Sequence, residues 1–305
     1  MGAIEVAELT KEYGSVLGVD SISFSVDEGE VFGFLGPNGA GKTTTIRTLL
    51  GLFAPTSGGA TVLGADVRDE RALVDAKRRI GYLPANLGFH EEVTGEQVLE
   101  YHASIKGDRR LDDLLDVFTP PIERPIREYS TGNEQMLGIV QAFMHDPDLV
   151  IMDEPTSGLD PLKQERFNEF VRCESDRGTT IFFSSHVLSE VRRVCDRVGI
   201  LRDGELVGLE DVETLLDQGG KRVRVQTIDE ASEALATLDG VVDVDAFADG
   251  LQFVYTGDYN ALLEALASYD VREIEISEPP LEDVFMHYYG PDGSATDDPE
   301  GESSV

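Results

Sequence analysis

The sequence predicts an α/β fold built on a parallel β-sheet, and three observations carry this prediction. The run from Val31 to Leu35 is apolar throughout, which is typical of a central strand buried on both faces. A glycine-rich loop follows this run, and Ile46, Leu49 and Leu50 then recur at helical spacing. A second apolar run, Leu149 to Met152, is again followed by a polar loop. We therefore expect alternating strands and helices, with polar loops at the carboxyl ends of the strands.

Further segments complete this first domain, which we expect to span residues 1–218. Antiparallel strands near its N-terminus are indicated by Ile22, Phe24 and Val26, which alternate with serines. A helical insertion is predicted at about residues 86–145, where Thr94-Gly95-Glu96-Gln97 fits a capping box. The residues expected on the buried face of the helix that follows are Val98, Tyr101, His102 and Ile105.

A second, smaller domain is expected over residues 221–289, with a disordered acidic tail at residues 290–305. Its pattern is β-α-β-β-α-β with one more helix at the end, which is ferredoxin-like. The predicted elements are strand Arg222 to Thr227, helix Ala231 to Leu238, strand Val242 to Phe247, strand Leu251 to Thr256, helix Tyr259 to Ser268, strand Val271 to Ile276 and helix Leu281 to Tyr289.

The composition is that of a globular protein without membrane spans. Hydrophobic residues make up 41% of the 305 residues and charged residues 28%. No apolar run approaches the roughly 18 residues that a transmembrane helix needs. The N-terminus lacks the pattern of a secretion signal, and the two cysteines, Cys173 and Cys195, argue against a disulfide framework.

The charge balance is strongly acidic, with 59 Asp and Glu against 25 Lys and Arg, for a net charge of -34. The acids are spread along the whole chain, and molar salt screens the resulting repulsion. This favours a protein of a salt-adapted cytosol, such as that of a halophilic archaeon, over an ordinary acidic protein with an acidic tail. The same charge argues against nucleic acid as a partner and against direct lipid binding.

The glycine-rich loop fits the phosphate-binding pattern G-x-x-x-x-G-K-[ST]. Glycines allow several backbone N–H groups to point at one anion, and the helix that follows adds the positive end of its dipole. The lysine would reach the β- and γ-phosphates, and the threonine hydroxyl next to it would bind Mg²⁺. The residues expected to bind the nucleotide here are Gly36, Pro37, Asn38, Gly39, Ala40, Gly41, Lys42, Thr43 and Thr44.

Two further strand ends carry candidate catalytic residues. Asp153 and Glu154 follow the apolar run Leu149 to Met152, so that Asp153 would help Thr43 to hold Mg²⁺ and Glu154 would orient or deprotonate a water. His186 ends another strand, where it would hydrogen-bond a γ-phosphate. The plain alternatives are an acidic turn and a structural histidine.

Six segments follow one another within about residues 4–209: KEYG with its aromatic Tyr13, GPNGAGKTT, YSTGNEQ, LVIMDEP, SGLD and SSH. Their order resembles that of the ATP-binding subunit of an ABC transporter. GPNGAGKTT looks like Walker A, LVIMDEP like Walker B, SGLD like the D-loop and SSH like the switch histidine, and YSTGNEQ stands in place of the LSGGQ signature. The second unit, with PPLEDVFMHYYG at its end, resembles the C-terminal extension of drug and multidrug exporters that pair with ABC-2-type permeases.

This resemblance implies a P-loop ATPase that uses ATP and Mg²⁺ and works as a homodimer or heterodimer with a second ATP-binding subunit. Tyr13 would stack on adenine, and Ser130 and Gly132 would close the partner's ATP site. A separately encoded membrane permease would hold the chain at the cytoplasmic face of the membrane, and export is the expected direction. The alternatives are a non-transport relative that acts on nucleic acid or the ribosome, and an unrelated P-loop kinase or GTPase.

The sequence departs from the family pattern at two positions. Ala85 stands where the family has Gln or Glu, and an alanine cannot coordinate Mg²⁺ or a water. Thr131 replaces the first glycine of the signature, where its Cβ would crowd the phosphate if that backbone needs a positive φ. We expect slow hydrolysis or a heterodimer with a better-equipped partner.

Overall fold

A computed structural model describes residues 2–214, 221–227, 235, 238–247 and 250–277 of the protein. The chain divides into two compact units, Met1–Glu210 and Asp211–Val305. The strands of the first unit are β1 (Ile4–Tyr13), β2 (Val16–Val26), β3 (Val31–Leu35), β4 (Ser57–Val62), β5 (Ala65–Asp66), β6 (Ile80–Leu83), β7 (Leu149–Asp153), β8 (Thr180–Ser185), β9 (Arg197–Arg202) and β10 (Glu205–Asp211). Its helices are α1 (Lys42–Leu49), α2 (Glu70–Lys77), α3 (Gly95–Lys106), α4 (Leu111–Phe118), α5 (Thr131–Phe143), α6 (Pro161–Asp176) and α7 (Leu188–Val194).

Two sheets build the first unit. The larger has the strand order β10-β9-β3-β8-β7-β6, and the strands from β9 to β6 run parallel. The smaller has the order β2-β1-β4-β5 and is antiparallel. The predicted α/β fold and the antiparallel N-terminal strands are therefore confirmed.

The two sheets meet in an aromatic core. Every residue of β3, β7 and β8 is buried, as expected for central parallel strands that are covered on both faces. Phe24 of β2 stacks on Phe32 of β3 with 5.5 Å between ring centroids, and Phe32 stacks on Phe182 of β8 at 5.7 Å. This packing fixes the sheet whose strand ends carry the candidate site.

The region between β6 and β7 is helical, and the predicted capping box of Thr94 and Gln97 is present at the start of α3. The predicted buried face of α3 is wrong. Val98 is buried, but Tyr101 is 65% exposed and Ile105 is 59% exposed. The helix packs instead through Val98, Leu99 and Gly95 in its first turn, and Tyr101 lies about 110° around the helix from the centre of that face.

The second unit contains β11 (Lys221–Thr227), β12 (Val241–Phe247), β13 (Gly250–Tyr255), α8 (Tyr259–Leu266) and β14 (Val271–Ser277). Its antiparallel sheet has the order β12-β13-β11-β14, which places the first and third strands in the centre, as in a ferredoxin-like fold. The predicted helices from Leu281 to Tyr289 and over most of Ala231 to Leu238, and the predicted acidic tail, lie outside the described residues.

Candidate active site

The glycine-rich loop lies between β3 and α1, at the carboxyl end of the parallel sheet. Gly41 has a φ of 110°, and a Cβ there would approach the carbonyl oxygen of Gly18 to 2.4 Å. At Gly36 a Cβ would meet the carbonyl oxygen of Leu201 at 2.3 Å. Only glycine fits either position, so the loop can take its tight path into the N-terminus of α1.

Lys42, the first residue of α1, turns back into the loop. Its side chain is only 6% exposed, and its ammonium donates to the carbonyl oxygens of Gly36 at 2.5 Å and Pro37 at 3.2 Å. The same ammonium lies 3.3 Å from Oε1 of Glu154. Lys42 is thus the cationic centre of the loop and links it to the end of β7.

Asp153 ends β7 as a buried carboxylate, 1% exposed, that accepts two hydrogen bonds. The Thr43 hydroxyl donates to its Oδ2 at 2.8 Å, and the Ser184 hydroxyl donates to its Oδ1 at 2.6 Å. Thr43 and Asp153 are therefore brought together as predicted. Ser184 was not identified from the sequence, since only the register of β7 against β8 places it beside Asp153.

Hydroxyl and carboxylate oxygens form the type of donor set that Mg²⁺ prefers. The described residues contain no cluster of three or more His, Cys, Asp or Glu side chains that could hold a metal ion unaided. Mg²⁺ is usually bound through one or two protein oxygens together with substrate phosphates and waters, and the Thr43 hydroxyl and the Asp153 carboxylate supply two such oxygens.

Glu154 and His186 lie side by side at the ends of β7 and β8. His186 Nδ1 is 2.8 Å from Glu154 Oε2. Glu154 has a φ of 53°, a left-handed backbone that is uncommon for a residue with a side chain. Its Oε1 is buried and accepts no hydrogen bond from any described residue, although Lys42 lies 3.3 Å away. This oxygen is therefore held by its ion pair with Lys42 and by no hydrogen bond.

A cavity of about 390 Å³ opens beside these residues. From the predicted set its lining includes Tyr13, Pro37, Asn38, Gly39, Gly41, Lys42, Thr43, Thr44, Asp153 and Glu154. Gly36 and Ala40 belong to the same loop and are buried beneath it. Three further lining residues, Val16, Leu17 and Gly18, were missed by the sequence reasoning. Their only signal was their position in the hairpin directly after Tyr13.

The Tyr13 end of the cavity is apolar and partly open. The Tyr13 ring packs edge-on against Phe53 with 5.6 Å between centroids, and the Lys11 ammonium lies 5.2 Å from the Tyr13 ring. Val16 and Leu17 are exposed large hydrophobic side chains. Such a surface suits one face of a flat aromatic ring.

Ser130 and Gly132 lie elsewhere on the first unit and are not among the residues that line this cavity. Ser130 is the N-cap of α5, where its hydroxyl accepts from the Asn133 N–H at 3.2 Å. Gly132 packs against the turn before α6, because a Cβ there would come within 3.0 Å of the Gly158 carbonyl oxygen. The N-terminus of α5 therefore lies outside the lining of the chain's own cavity.

Comparison with known proteins places these features in a family. Residues 19–157 match the family described as "ABC transporter", and residues 212–289 match "ATP-binding protein DrrA1-3-like, C-terminal domain". The "Bacitracin transport ATP-binding protein BcrA" of Bacillus licheniformis is 35% identical over 301 residues, which cover 94% of this chain and 97% of that protein. The chain is an ABC transporter ATP-binding subunit.

Solved structures agree with this assignment. A structure described as "Structure of ATP binding subunit of ABC transporter" has 32% identity and a TM-score of 0.64, covering 71% of this chain and 92% of its own. "Dimeric Structure of MJ0796, a Bacterial ABC Transporter Cassette" has 21% identity and a TM-score of 0.64, covering 68% and 98%, and shows the likeness of the fold.

As an ABC transporter ATP-binding subunit the chain is an ATPase, and its two departures from the family pattern can now be located. Ala85 lines the cavity. Asn86 does not replace the missing amide there, because its Oδ1 accepts from the Gly88 N–H at 3.1 Å. Thr131 is the first residue of α5 and its φ is not positive, so the condition under which its Cβ was expected to crowd the phosphate is not met. Within the described part of the chain, no helix is long and apolar enough to cross a bilayer.

Proposed function

We propose that this ATPase binds ATP with Mg²⁺ in the described cavity and powers a separate membrane permease. The contact that carries the proposal is the 3.3 Å approach of Lys42 to Glu154, because it joins the phosphate loop to a carboxylate whose buried Oε1 accepts no hydrogen bond from the described residues. The phosphates would lie on the loop from Gly36 to Thr44. Lys42 would exchange its carbonyl contacts for β- and γ-phosphate oxygens.

Thr43 and Asp153 are the residues that would hold Mg²⁺. The ion would supply charge neutralisation at the phosphates when bound. The two side chains are already aligned by their 2.8 Å hydrogen bond, and the 2.6 Å bond from Ser184 fixes the orientation of the carboxylate. Ser184 therefore acts as a support for the metal ligand rather than as a ligand itself.

Glu154 is proposed as the general base and His186 as the group that orients it. Oε1 would accept the proton of the attacking water, while Oε2 stays bound to His186 at 2.8 Å. The left-handed backbone of Glu154 aims the carboxylate back across the end of the sheet towards Lys42. A base that is fixed by a second side chain loses little freedom when the water binds.

Tyr13 is proposed as the stacking partner of adenine, with Val16 and Leu17 extending the apolar contact. Ser130 and Gly132 would act on a second subunit, because the N-terminus of α5 does not line the chain's own cavity. Backbone N–H groups at a helix N-terminus bind anions, so this segment would close the ATP site of the partner. The partner is a second ATP-binding subunit, identical or different, as in the dimeric cassette MJ0796.

The relatives support export through a membrane permease. BcrA is named for bacitracin transport, and a further relative, "Linearmycin resistance ATP-binding protein LnrL" of Bacillus subtilis, is 32% identical over 94% of this chain. We place the chain at the cytoplasmic face of the membrane, held there by its permease. A role on nucleic acid or the ribosome is not favoured, because the net charge of -34 repels a polyanion.

We propose the following domain organisation. Residues 1–218 form the ATPase domain, in which a helical subdomain at about residues 86–145 would transmit force to the permease. Residues 221–289 form the accessory domain, and residues 290–305 form an acidic tail. The four-stranded sheet of the second unit supports the accessory domain.

The decisive experiment replaces Lys42 by alanine in the full-length chain. Because the other phosphate contacts come from the backbone, we expect the protein to fold while its ATP affinity, measured by calorimetry, falls about tenfold or more. Hydrolysis should fall with it. The matched control is Lys77→Ala on α2, outside the cavity lining. Wild-type affinity and hydrolysis in Lys42→Ala would contradict the proposed function.

A further inference from the structure

A single carboxylate links the strand that carries His186 to the turn that carries Glu154. Glu190, on α7, accepts from the Thr156 hydroxyl through Oε1 at 2.6 Å and from the Ser185 hydroxyl through Oε2 at 2.7 Å. Both hydroxyl residues are buried, and Ser185 has no exposed surface at all. Each oxygen of Glu190 is therefore committed to a different segment of the active site.

The first segment is the end of β8. Ser185 directly precedes His186, and its carbonyl oxygen accepts from the Gly36 N–H at 3.2 Å. Its hydroxyl also accepts from the Val187 N–H at 2.9 Å while it donates to Glu190. The backbone on both sides of His186 is thus fixed through one serine, and that serine is fixed by Glu190.

The second segment is the turn that leaves β7. Thr156 follows Glu154 by two residues, and its carbonyl oxygen accepts from the Leu159 N–H at 3.1 Å, while the Ser157 N–H donates to the Glu154 carbonyl oxygen at 3.1 Å. The left-handed backbone of Glu154 costs free energy and persists only where its surroundings hold it. The bond from Thr156 to Glu190 is one of the contacts that hold this turn.

We propose that Glu190 is a positioning residue for hydrolysis, which keeps His186 and Glu154 in register with each other and with the phosphate loop. Hydrogen bonds to an ionised carboxylate are short and roughly twice as strong as neutral ones, which suits a residue that ties two segments together. Glu190 touches neither ATP nor the water. It acts through Ser185 and Thr156, and the inference rests on the proposed function.

The test compares Glu190→Ala, Glu190→Gln and the control Glu169→Ala, an exposed position on α6, in the full-length chain. Single-turnover hydrolysis with excess protein and ATP affinity by calorimetry separate chemistry from binding. We expect Glu190→Ala to slow hydrolysis about tenfold or more while affinity changes less than about twofold. Glu190→Gln should restore most of the rate, since its amide can accept from one hydroxyl and donate to the oxygen of the other.

A double variant, Glu190→Ala with His186→Ala, distinguishes a positioning role of Glu190 from an unspecific loss of structure. Because Glu190 supports both His186 and Glu154, adding Glu190→Ala to His186→Ala should slow hydrolysis further, but by a smaller factor than Glu190→Ala causes in the wild type. Full multiplication of the two losses, or a wild-type rate in Glu190→Ala, would overturn the inference. Should Glu190→Ala not fold, Thr156→Val decides, because it removes one hydroxyl at constant shape: a slowing of about threefold or more supports the inference and a wild-type rate overturns it. Normal ATP affinity in Lys42→Ala would instead refute the proposed function itself.

Discussion

The first unit contains two clusters of polar side chains at opposite ends of its parallel sheet, and each cluster includes buried members. The carboxyl-end cluster lies where β3, β7 and β8 finish and consists of Lys42, Thr43, Asp153, Glu154, Ser184 and His186. The amino-end cluster lies where β6, β7 and β8 begin and consists of Lys106, Arg110, His145 and Glu174. The first borders a cavity of about 390 Å³, and no residue of the second lines that cavity.

The two clusters also differ in how their charges are arranged. In the amino-end cluster, Arg110 makes a two-armed pair with Glu174, with Nη2 donating to Oε1 at 2.8 Å, and Lys106 donates to the Ile80 carbonyl oxygen at 2.6 Å. In the carboxyl-end cluster, Glu154 keeps an oxygen without a hydrogen bond next to Lys42. Each cluster has one buried side-chain atom without a hydrogen-bond partner among the described residues, Glu154 Oε1 and His145 Nε2. We infer from the Arg110–Glu174 pair that the amino-end cluster stabilises the fold, and from the place of Glu154 beside Lys42 and the cavity that the carboxyl-end cluster serves the chemistry. Substitutions in the carboxyl-end cluster should therefore change the rate of hydrolysis, and substitutions in the amino-end cluster should change the free energy of unfolding.

The largest effect is expected at Glu154. Glu154→Gln keeps the shape of the side chain but removes the proton acceptor, so single-turnover hydrolysis should slow by about 10² to 10⁴-fold. ATP affinity should stay at the wild-type level or rise, because Lys42 no longer faces a competing carboxylate. Glu169→Gln, on the exposed side of α6, serves as the control. Hydrolysis within about threefold of wild type would remove Glu154 from the proposed mechanism.

The opposite pattern is expected at Arg110. Arg110→Ala leaves Glu174, which is 2% exposed, with only the Arg177 guanidinium at 3.9 Å as a partner, so the free energy of unfolding in urea should fall by about 3 kcal/mol. The rate constant for hydrolysis, corrected for the folded fraction, should not change. Arg79→Ala, which breaks the exposed pair with Asp148, should cost at most about 1 kcal/mol. An equal loss from both variants would contradict the role of burial.

Sequence reasoning found the carboxyl-end cluster better than any other part of the molecule. Lys42, Asp153, Glu154 and His186 follow strands whose apolar patterns are easily read, and parallel strands bring such residues to one edge. Ser184 and Glu190 were missed, because their partners lie on other elements. Ser184 meets Asp153 only through the β7–β8 register, and Glu190 reaches Thr156 from a separate helix.

The contacts of the amino-end cluster and the buried side of α3 could not be predicted from the sequence. His145 is buried, but nothing in its neighbours along the chain points to Lys106 or Ile80 as the groups beside it. On α3 the helical period was correct and the buried side was not, since Tyr101 and Ile105 are exposed. Periodicity shows that a helix has an apolar side, but only tertiary contacts decide which residues are covered.

The smallest of the three effects tests the amino-end cluster by pH. Burial is the main cause that lowers the pKa of His145 from 6.5 to about 4, and the Lys106 ammonium contributes to the same shift. A hydrogen bond to the backbone of Ile80 and the negative charge of Asp146 act in the opposite direction. Between these two values the unfolded chain binds a proton that the folded chain does not. The contribution of His145 to the free energy of unfolding is therefore fully present above pH 6.5. It is lost as the pH falls towards 4, by about 3 kcal/mol in total.

The measurement is urea unfolding at fixed salt from pH 7.5 to pH 4.5, compared between the wild type and His145→Gln. The many acidic groups of the chain titrate in both proteins, so the difference between the two curves isolates His145. We expect the wild type to lose more stability on acidification than the variant, with the gap opening below about pH 6.5. Parallel curves would show that His145 binds a proton equally well in both states, and that the amino-end cluster tolerates charge as the carboxyl-end cluster does.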